Sequence, residues 1–348
     1  MEEDIRFTQL KSWLDTLPQF QGVAGIQITP ASSDASFRRY FRLQNGETRY
    51  IVMDAPPEKE DCRPFILVDQ QLQQLGIRVP EIFAQDLTQG FLLLEDFGQE
   101  TLSDRLKRVS ETEVDHFYRQ ALSILVDLQT EVSLPKNQTV RQSLPPYSQS
   151  LLHQEMQLFT DWLLHQHLKL SLSSLEKQAW QQLETLLIAN AHQQPPTYVL
   201  RDYHSRNLMV LPEQTQLGVI DFQDAVQGPL TYDAISLLRD CYQRWPEEQV
   251  KAWQRYYFLA LAQAGSLGLS QADWSAFQQR MDLMGIQRHL KAAGIFARLY
   301  HRDGKAGYLQ DIPNTLRYLY EVGQQYAALT PLVQLLENKV LPAMELNA

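Results

Sequence analysis

Short apolar runs alternate with polar turns through residues 1–96, a pattern typical of β-strands. Residues 36–43 are rich in aromatic side chains, residues 50–54 form a short β-branched run, and residues 91–95 are apolar over the length of a strand. Between the last two runs, apolar residues recur at spacings of three and four and predict one helix over 64–76. The pattern therefore predicts a small antiparallel sheet that carries a single helix.

Amphipathic helices dominate the pattern after this predicted sheet. Two Ser-x-x-Glu capping boxes, which begin at Ser110 and Ser173, predict the starts of two helices. Further helical stretches run over 148–168 and from about residue 230 to the C-terminus, and we expect a proline-bearing loop over 133–147.

Residues 197–221 interrupt the helical pattern with three short β-like runs separated by polar turns. We expect an α+β fold of two lobes, in which residues 1–96 form a small antiparallel sheet lobe with one helix and residues 97–348 form a larger, mainly helical lobe. The length of 348 residues agrees with two lobes, because a single core rarely organises so long a chain. The polar β-rich insert is where chemistry is expected.

Composition and charge exclude several classes of protein. The formal net charge is −10, whereas a non-specific nucleic-acid binder normally carries an excess of basic residues. No apolar run approaches the ~20 residues of a membrane-spanning helix, and the acidic start lacks the pattern of a secretion signal. Two cysteines, Cys62 and Cys241, are too few for a disulfide framework. We expect a cytoplasmic protein that acts on a small molecule, without nucleic-acid or membrane partners.

Three oxygen-bearing side chains frame the polar insert. Asp202 and Asn207 lie at the two ends of one tight loop, and Asp221 closes a neighbouring predicted strand. Two carboxylates and an amide oxygen suit Mg²⁺, which takes one or two protein ligands beside substrate phosphates. In phosphoryl transfer, one carboxylate orients and deprotonates the attacking hydroxyl while the others hold the metal ion. Asp and Asn are also common in ordinary turns, but their place between two strands, with an Ile-Asp-Phe sequence downstream, favours a functional site.

The insert resembles the catalytic loop of the aminoglycoside phosphotransferase/choline kinase-like branch of the protein-kinase-like fold. That loop reads roughly His-Gly-Asp-x-His-x-x-Asn, followed by Ile-Asp-[Phe/Trp]-x-Asp and Gly-x-x-x-Tyr-Asp. The matching residues occur in the same order: Asp202, His204, Asn207, Asp221, Phe222, Asp224, Gly228, Tyr232 and Asp233. The resemblance implies a catalytic base at Asp202, Mg²⁺ ligands at Asn207 and Asp221, and a brace for the loop at Asp233.

The same resemblance implies an ATP site in the first lobe. The segment FLLLEDFG at 91–98 resembles the strand and hinge that receive adenine. Residues 32–42 fill the position of the phosphate-covering hairpin. The implied nucleotide-binding residues are Glu95, Asp96 and Phe97 at the hinge, and Ser32, Ser33, Asp34, Ala35 and Ser36 on the hairpin.

Three positions depart from the family's pattern. The lysine expected in the strand at 50–54 is absent, where Met53 or a neighbour stands instead. The helix that follows lacks the glutamate that would pair with it and has only Asp69, and the histidine of the catalytic loop is replaced as well. Either the chain is an ATP-binding pseudokinase, or Arg38 and Arg39 on the hairpin have taken over the phosphate contact, since guanidinium suits bidentate phosphate binding.

Within this family, several longer segments resemble the bacterial anomeric kinases of cell-wall amino sugars. They are SSDASFRRYFR, IVMDAPPEKEDCRPF, LLLEDFG, LRDYHSRNLMVL and GIQRHLKAAGIFARLYHRDGK. That group uses ATP to phosphorylate the anomeric hydroxyl of N-acetylmuramate and N-acetylglucosamine during peptidoglycan recycling. Aminoglycosides or other small-molecule alcohols are the alternative acceptors.

Candidate acceptor contacts follow from the same resemblance. Arg288 and His289 lie on a late helix, where such folds build the acceptor wall, and a basic pair there would suit an anionic lactyl group. His204 either contacts the acceptor or hydrogen-bonds within its own loop. Asp224 either binds the acceptor or supports the loop.

Overall fold

The computed structural model describes residues 5–23, 25–33, 37–211, 216–265 and 267–346. Its contacts divide the chain into two compact units. The first comprises Met1–Glu100 with Met209–Asp224, and the second comprises Thr101–Leu208 with Ala225–Ala348. The predicted lobes, 1–96 and 97–348, remain a prediction, and the observed division differs from them in returning 209–224 to the first unit.

A five-stranded antiparallel sheet with the order β1-β2-β3-β5-β4 forms the centre of the first unit. Its strands are β1 (Gln27–Ser33), β2 (Arg39–Asn45), β3 (Thr48–Asp54), β4 (Ile82–Asp86) and β5 (Phe91–Glu95). Helix α2 (Arg63–Gln74) connects β3 to β4 and buries Phe65, Val68 and Leu72. The predicted sheet and its helix are confirmed.

An N-terminal helix, α1 (Ile5–Thr16), was not expected from the sequence. Its buried residues Leu10, Trp13 and Leu14 pack in one cluster with Val52 and Phe91 of the sheet. These three residues have helical spacing, but they cover only about one turn and give the helix no continuous apolar stripe. The prediction of only strands and turns before the first strand was therefore wrong.

Helices make up most of the second unit. They are α3 (Leu102–Leu106), α4 (Glu111–Ser133), α5 (Gln138–Ser143), α6 (Gln149–Leu158), α7 (Ser174–His192), α8 (Tyr232–Leu238), α9 (Glu247–Ala264), α10 (Trp274–Asp303), α11 (Ile312–Gly323), α12 (Thr330–Leu335) and α13 (Leu341–Leu346), with π-helical segments at Phe159–His167 and Leu336–Val340. Both capping boxes, at Ser110 and Ser173, are present. The expected loop at 133–147 contains α5 instead of being wholly irregular. None of the helices described is long and apolar enough to cross a membrane.

Short strand pairs position the polar insert. β6 (Pro196–Val199) pairs antiparallel with β9 (Val226–Pro229), and β7 (Leu208–Val210) pairs with β8 (Leu217–Val219). The three predicted β-like runs are thus confirmed as β6, β7 and β8. The loop at 200–207 joins β6 to β7.

Helix α10 is the longest helix described and runs through the second unit with most of its middle buried. A Cβ atom added at Gly294 would lie 2.2 Å from the carbonyl carbon of Leu158, the last residue of α6. Because Gly294 has no side chain, the two helices come into backbone contact here. The turn of α10 that precedes Gly294 therefore also packs against α6.

Candidate active site

A buried carboxylate holds the start of the loop at 200–207. Asp233, on the first turn of α8, accepts hydrogen bonds from the main-chain N–H groups of Leu200 at 2.7 Å and Arg201 at 3.0 Å. Arg201 has a positive φ of 72°, a conformation that costs free energy in a non-glycine residue and requires support. Burial raises the pKa of Asp233 to about 7 although the two N–H groups lower it. Both oxygens face N–H donors, so the geometry requires the ionised carboxylate.

A second buried carboxylate, which the sequence did not single out, supports the middle of the same loop. Asp240 accepts from the N–H of Ser205 at 2.9 Å and from its hydroxyl at 2.5 Å. The side-chain nitrogen of Asn207 donates to the main-chain oxygen of Asp202 at 3.0 Å. These bonds fix Asn207 relative to Asp202 within the second unit.

Asp202 is half-buried among cationic side chains. Burial raises the pKa of its carboxyl group, but the Lys291 ammonium outweighs that effect, together with His204 and the guanidinium groups of Arg201 and Arg288. The net result is a pKa below the ordinary value, so Asp202 is ionised at neutral pH and accepts hydrogen bonds.

A cavity within the second unit opens beside this carboxylate and holds about 400 Å³ of empty space up to the open solvent. Its wall includes Asp202, His204, Tyr242, Arg288, Lys291 and Phe296. A concave surface of apolar and aromatic side chains with a few polar or charged groups is typical of a small-molecule site. Asp202, His204 and Arg288, all predicted from the sequence, therefore lie around one cavity.

Lys291 is a cavity residue that the sequence analysis did not select. Its ammonium lies 3.2 Å from Glu155 of α6 and donates to the hydroxyl of Tyr232 at 3.2 Å. Glu155 also accepts from Arg201, Tyr147 and Gln287. Lys291 follows Arg288 by three residues, so helical spacing places both on one face, a signal present in the sequence.

His289 has a different environment from its neighbour. Its Nδ1 lies 2.6 Å from the main-chain oxygen of Gly285, and its Nε2 lies 2.8 Å from that of Arg239. Burial, with the nearby Arg288 charge, lowers its pKa to about 3. The ring is buried and is not part of the cavity wall. Its environment therefore supports a packing role, and the predicted acceptor contact is not carried forward.

His204 lies on the cavity wall with its ring edge against Tyr242, at a centroid distance of 5.2 Å. Its Nδ1 is buried and has no hydrogen-bond partner within the part of the chain that the structure describes. Burial lowers its pKa, so the ring is neutral at neutral pH. Of the two roles considered, this geometry favours contact with a bound molecule.

The two hairpin arginines of the first unit have different partners. Arg39 donates from Nε to Asp54 at 2.9 Å, and Arg6 of α1 binds the other oxygen of the same carboxylate. Asp54 is fully buried, so these ion pairs anchor the hairpin and α1 to the sheet. Met53, which stands where the family's lysine is expected, is also fully buried.

Arg38 is half-buried near several acidic groups of the first unit, with Glu60 at 4.0 Å. Burial lowers its pKa, but Tyr40 and the carboxylates of Asp221, Asp224 and Glu60 raise it to a net value above the ordinary one. Arg38 therefore lies in the electrostatic field of Asp221. Asp34, Ala35 and Ser36 lie outside the described residues, while Ser32 and Ser33 end β1, where Ser33 pairs with Arg39.

Ion pairs shape the segment at 95–98. The Glu95 carboxylate accepts a hydrogen bond from Arg78. The main-chain N–H of Glu95 donates to the main-chain oxygen of Glu81 at 2.9 Å. Asp96 accepts from Arg42 at 2.6 and 3.0 Å and from the N–H of Gly98 at 2.8 Å. The side chains of Glu95 and Asp96 therefore fix the backbone of the predicted hinge.

Phe97 lies at the end of the predicted hinge, and its ring packs directly against Gly218. A Cβ atom added at Gly218 would lie only 2.4 Å from this ring. The Arg78 guanidinium lies over the same ring, 4.7 Å from its centroid. Packing and cation–π contact thus fix this side chain within the first unit.

Asp221 follows β8 with a positive φ of 60°. The side-chain nitrogen of Gln223 donates to Asp221 at 3.0 Å and to the exposed Asp224 at 3.3 Å. Backbone strain of this kind is often found where a side chain must be aimed for function. Asn207 and Asp221 belong to different units, and their predicted role as Mg²⁺ ligands stays a prediction. Throughout the described ranges, no three His, Cys, Asp or Glu side chains form a metal-binding group.

A family model described as "phosphotransferase enzyme family" matches residues 27–268, which include the sheet, the hinge and the loop at 200–207. The chain belongs to this phosphotransferase family. Its members are phosphoryl-transfer enzymes, and the predicted kinase-like α+β fold and enzyme class are confirmed.

Curated relatives within the phosphotransferase family match nearly the full length. The chain is 43% identical to the N-acetylmuramate/N-acetylglucosamine kinase of Pseudomonas aeruginosa, over 97% of this chain and 98% of that protein. It is 38% identical to the kinase of the same name from Neisseria meningitidis, over 96% of each chain. The resemblance noted from sequence segments is thus confirmed over the whole chain.

Solved structures show the same fold at low sequence identity. An ethanolamine kinase from Plasmodium vivax has a TM-score of 0.62 at 11% identity, covering 90% of this chain and 86% of that one. A choline kinase from Streptococcus pneumoniae has a TM-score of 0.59 at 10% identity, covering 89% and 98%. An ADP-bound aminoglycoside phosphotransferase, APH(2'')-Ib, has a TM-score of 0.56 at 15% identity, covering 91% and 97%.

Proposed function

We propose that this phosphotransferase is an ATP-dependent kinase that phosphorylates the anomeric hydroxyl of N-acetylmuramate and N-acetylglucosamine in peptidoglycan recycling. The observation that carries the proposal is the ionised Asp202 on the wall of a cavity that also has basic and aromatic side chains. The names of the relatives at 38–43% identity support the choice of acceptor.

Asp202 acts on the acceptor hydroxyl. Its carboxylate accepts a hydrogen bond from the anomeric O–H and takes that proton as the oxygen attacks the terminal phosphorus of ATP. The bond from that phosphorus to the bridging oxygen breaks, and ADP leaves. General-base assistance contributes roughly 10²- to 10⁴-fold in rate. An anomeric hydroxyl is more acidic than other sugar hydroxyls, so a base with a lowered pKa suffices.

The donor set of the loops fits Mg²⁺. The amide oxygen of Asn207 and the carboxylate of Asp221 are hard-oxygen ligands, and Mg²⁺ on a nucleotide needs only one or two protein ligands. Bound there, the ion would neutralise charge on the phosphates.

Arg38 is our choice for the phosphate contact that the missing lysine would make. Arg39 is held by Asp54, whereas Arg38 lies in the field of Asp221, the proposed metal ligand. We further propose that residues 32–36 of the hairpin cover the phosphates of ATP and that the backbone of Glu95 to Phe97 binds adenine.

The decisive experiment measures acceptor-dependent ADP release by the purified protein with MgATP. The acceptors are N-acetylmuramate, N-acetylglucosamine, choline and an aminoglycoside, and ³¹P NMR of the product identifies an anomeric phosphate. We expect turnover on the two amino sugars and a loss of roughly 10²- to 10⁴-fold in Asp202→Asn. Asp161→Asn, a matched change at an exposed position of the same unit, should keep full activity. Turnover on the aminoglycoside alone would replace the proposal, and ATP binding without turnover on any acceptor would favour a pseudokinase.

A further inference from the structure

Arg288 differs in its partners from Arg239, the other buried arginine among the described residues of the second unit. It is 5% exposed and makes one hydrogen bond, from a terminal nitrogen to the sulfur of Cys241 at 3.5 Å. Arg239, which is 2% exposed, instead pairs with Glu247 at 2.9 Å and Asp282 at 3.6 Å. No carboxylate oxygen in the described part of the chain lies within ion-pair distance of Arg288.

The charges that surround Arg288 do not supply that missing partner. The groups with the largest effect on its charge are the Cys241 thiol, the Tyr232 hydroxyl and the Asp240 carboxylate, and Arg288 in turn lowers the pKa of Asp202 without an ion pair to it. Burial raises the pKa of Cys241, so its thiol is neutral. Asp240 directs its oxygens to the N–H groups of Ser205 and Tyr242. A guanidinium has five N–H donors and stays charged, and burying it without an anion is unfavourable.

The cavity supplies a place for the missing anion. Arg288 lines the same cavity as Asp202, where the acceptor hydroxyl is proposed to react. Lys291 also lines it, but its ammonium already has the carboxylate of Glu155. An anionic group carried by the acceptor would therefore meet Arg288 as its available cationic partner, and a guanidinium fork suits a carboxylate best.

We propose that Arg288 binds the lactyl carboxylate of N-acetylmuramate and is the residue through which this site favours that acceptor over N-acetylglucosamine. This inference rests on the proposed function. N-acetylglucosamine has no lactyl group, so it occupies the cavity without that ion pair, and Arg288 affects its turnover only through the pKa of Asp202.

The test compares three acceptors in Arg288→Gln and Arg288→Lys: N-acetylmuramate, its lactyl methyl ester and N-acetylglucosamine. A charge-assisted hydrogen bond corresponds to roughly a 10- to 100-fold change in kcat/KM. Arg288 also lowers the pKa of Asp202, so all three acceptors share any loss that comes from that change. Beyond this shared loss, we expect Arg288→Gln to lower kcat/KM for N-acetylmuramate, relative to the other two acceptors, by that roughly 10- to 100-fold factor. Arg288→Lys should recover part of the loss, because the charge remains without the fork. Arg302→Gln, at an exposed arginine on the same helix, is the matched control.

Thermal unfolding provides a readout that does not require turnover. Without ATP, N-acetylmuramate should raise the Tm of the unaltered protein more than its methyl ester does, since a ligand stabilises the state that binds it. Arg288→Gln should abolish this difference between the two ligands.

Equal losses on all three acceptors would overturn the inference and assign Arg288 to the phosphoryl group or to the fold. Unchanged kinetics on N-acetylmuramate would overturn it as well. If the unaltered protein turned over neither sugar, the proposed function would fail. An Arg288-dependent Tm shift with N-acetylmuramate would in that case still support the carboxylate contact.

Discussion

The sheet of the first unit pairs its buried carboxylates with arginines, whereas the cavity wall of the second unit combines the paired Lys291 with Arg288, which has no ion pair among the described residues. In the sheet, the Asp54 carboxylate accepts hydrogen bonds from Arg6 and Arg39, and the Asp96 carboxylate forms a bidentate ion pair with Arg42. On the cavity wall, Arg288 has a single sulfur partner.

This difference in ion pairing distinguishes charged groups that stabilise the fold from charged groups that can bind a ligand. A paired buried charge is already compensated and fixes two elements relative to each other, whereas breaking such a pair is costly. An unpaired buried charge beside a cavity is compensated only when a ligand binds. Partner geometry therefore indicates function better than residue type does, since both regions use arginine.

The strongest test of this contrast removes a paired carboxylate. Asp54→Ala leaves the guanidinium groups of Arg6 and Arg39 together without their anion, and we expect a loss of about 3–4 kcal/mol in the free energy of unfolding. Chemical denaturation measures it, with Asp15→Ala on the exposed face of α1 as the control. A loss no greater than that of Arg288→Gln would contradict the contrast.

A smaller loss of stability, with a clear loss of activity, is expected at the loop of the second unit. In Asp233→Asn, an amide N–H₂ must face the N–H of Leu200 or Arg201, which costs about 1–3 kcal/mol. The strained φ of Arg201 then loses support, so kcat should fall more than KM rises. The two constants measured on either amino sugar check this, and a pure KM effect would show that Asp233 does not brace the catalytic loop.

The smallest effect concerns Asp69 of α2, which is 1% exposed and has a pKa raised to about 7 by burial. The folded state keeps this proton while the unfolded state has lost it, so stability falls as pH rises through 7. Between pH 6 and pH 8 the loss is about 1 kcal/mol. Asp69→Asn should show less of this fall when Tm is measured across that range. An unchanged slope would mean that other groups cause it.

Local signals explain which parts of the fold were predictable. The capping boxes at Ser110 and Ser173 and the apolar runs of β3 and β5 act within a few residues, and each appears where it was expected. Helix α1 was missed because its burial depends on the sheet, which lies far along the chain. The family motif placed the loop at 200–207 without any knowledge of tertiary contacts.

Long-range partners explain what the sequence could not decide. Arg38 and Arg39 are adjacent and chemically identical, but their distant partners differ, because Asp54 binds Arg39 whereas Asp221 acts on the charge of Arg38. Lys291 and Glu155 meet across 136 positions, so neither signals the other in the sequence. The packing of His289 between two main-chain oxygens likewise depends on Arg239, a residue of another element.

The backbone contact at Gly294 determines how closely α10 approaches α6. Glu155 meets Lys291, and three residues later on each helix Leu158 meets Gly294, so α6 and α10 run in the same direction there. A side chain at 294 would wedge the helices apart and carry Lys291 away from Glu155. The shape of the cavity beside Asp202 thus depends on Gly294, a position one helical turn beyond Lys291 that does not line the cavity.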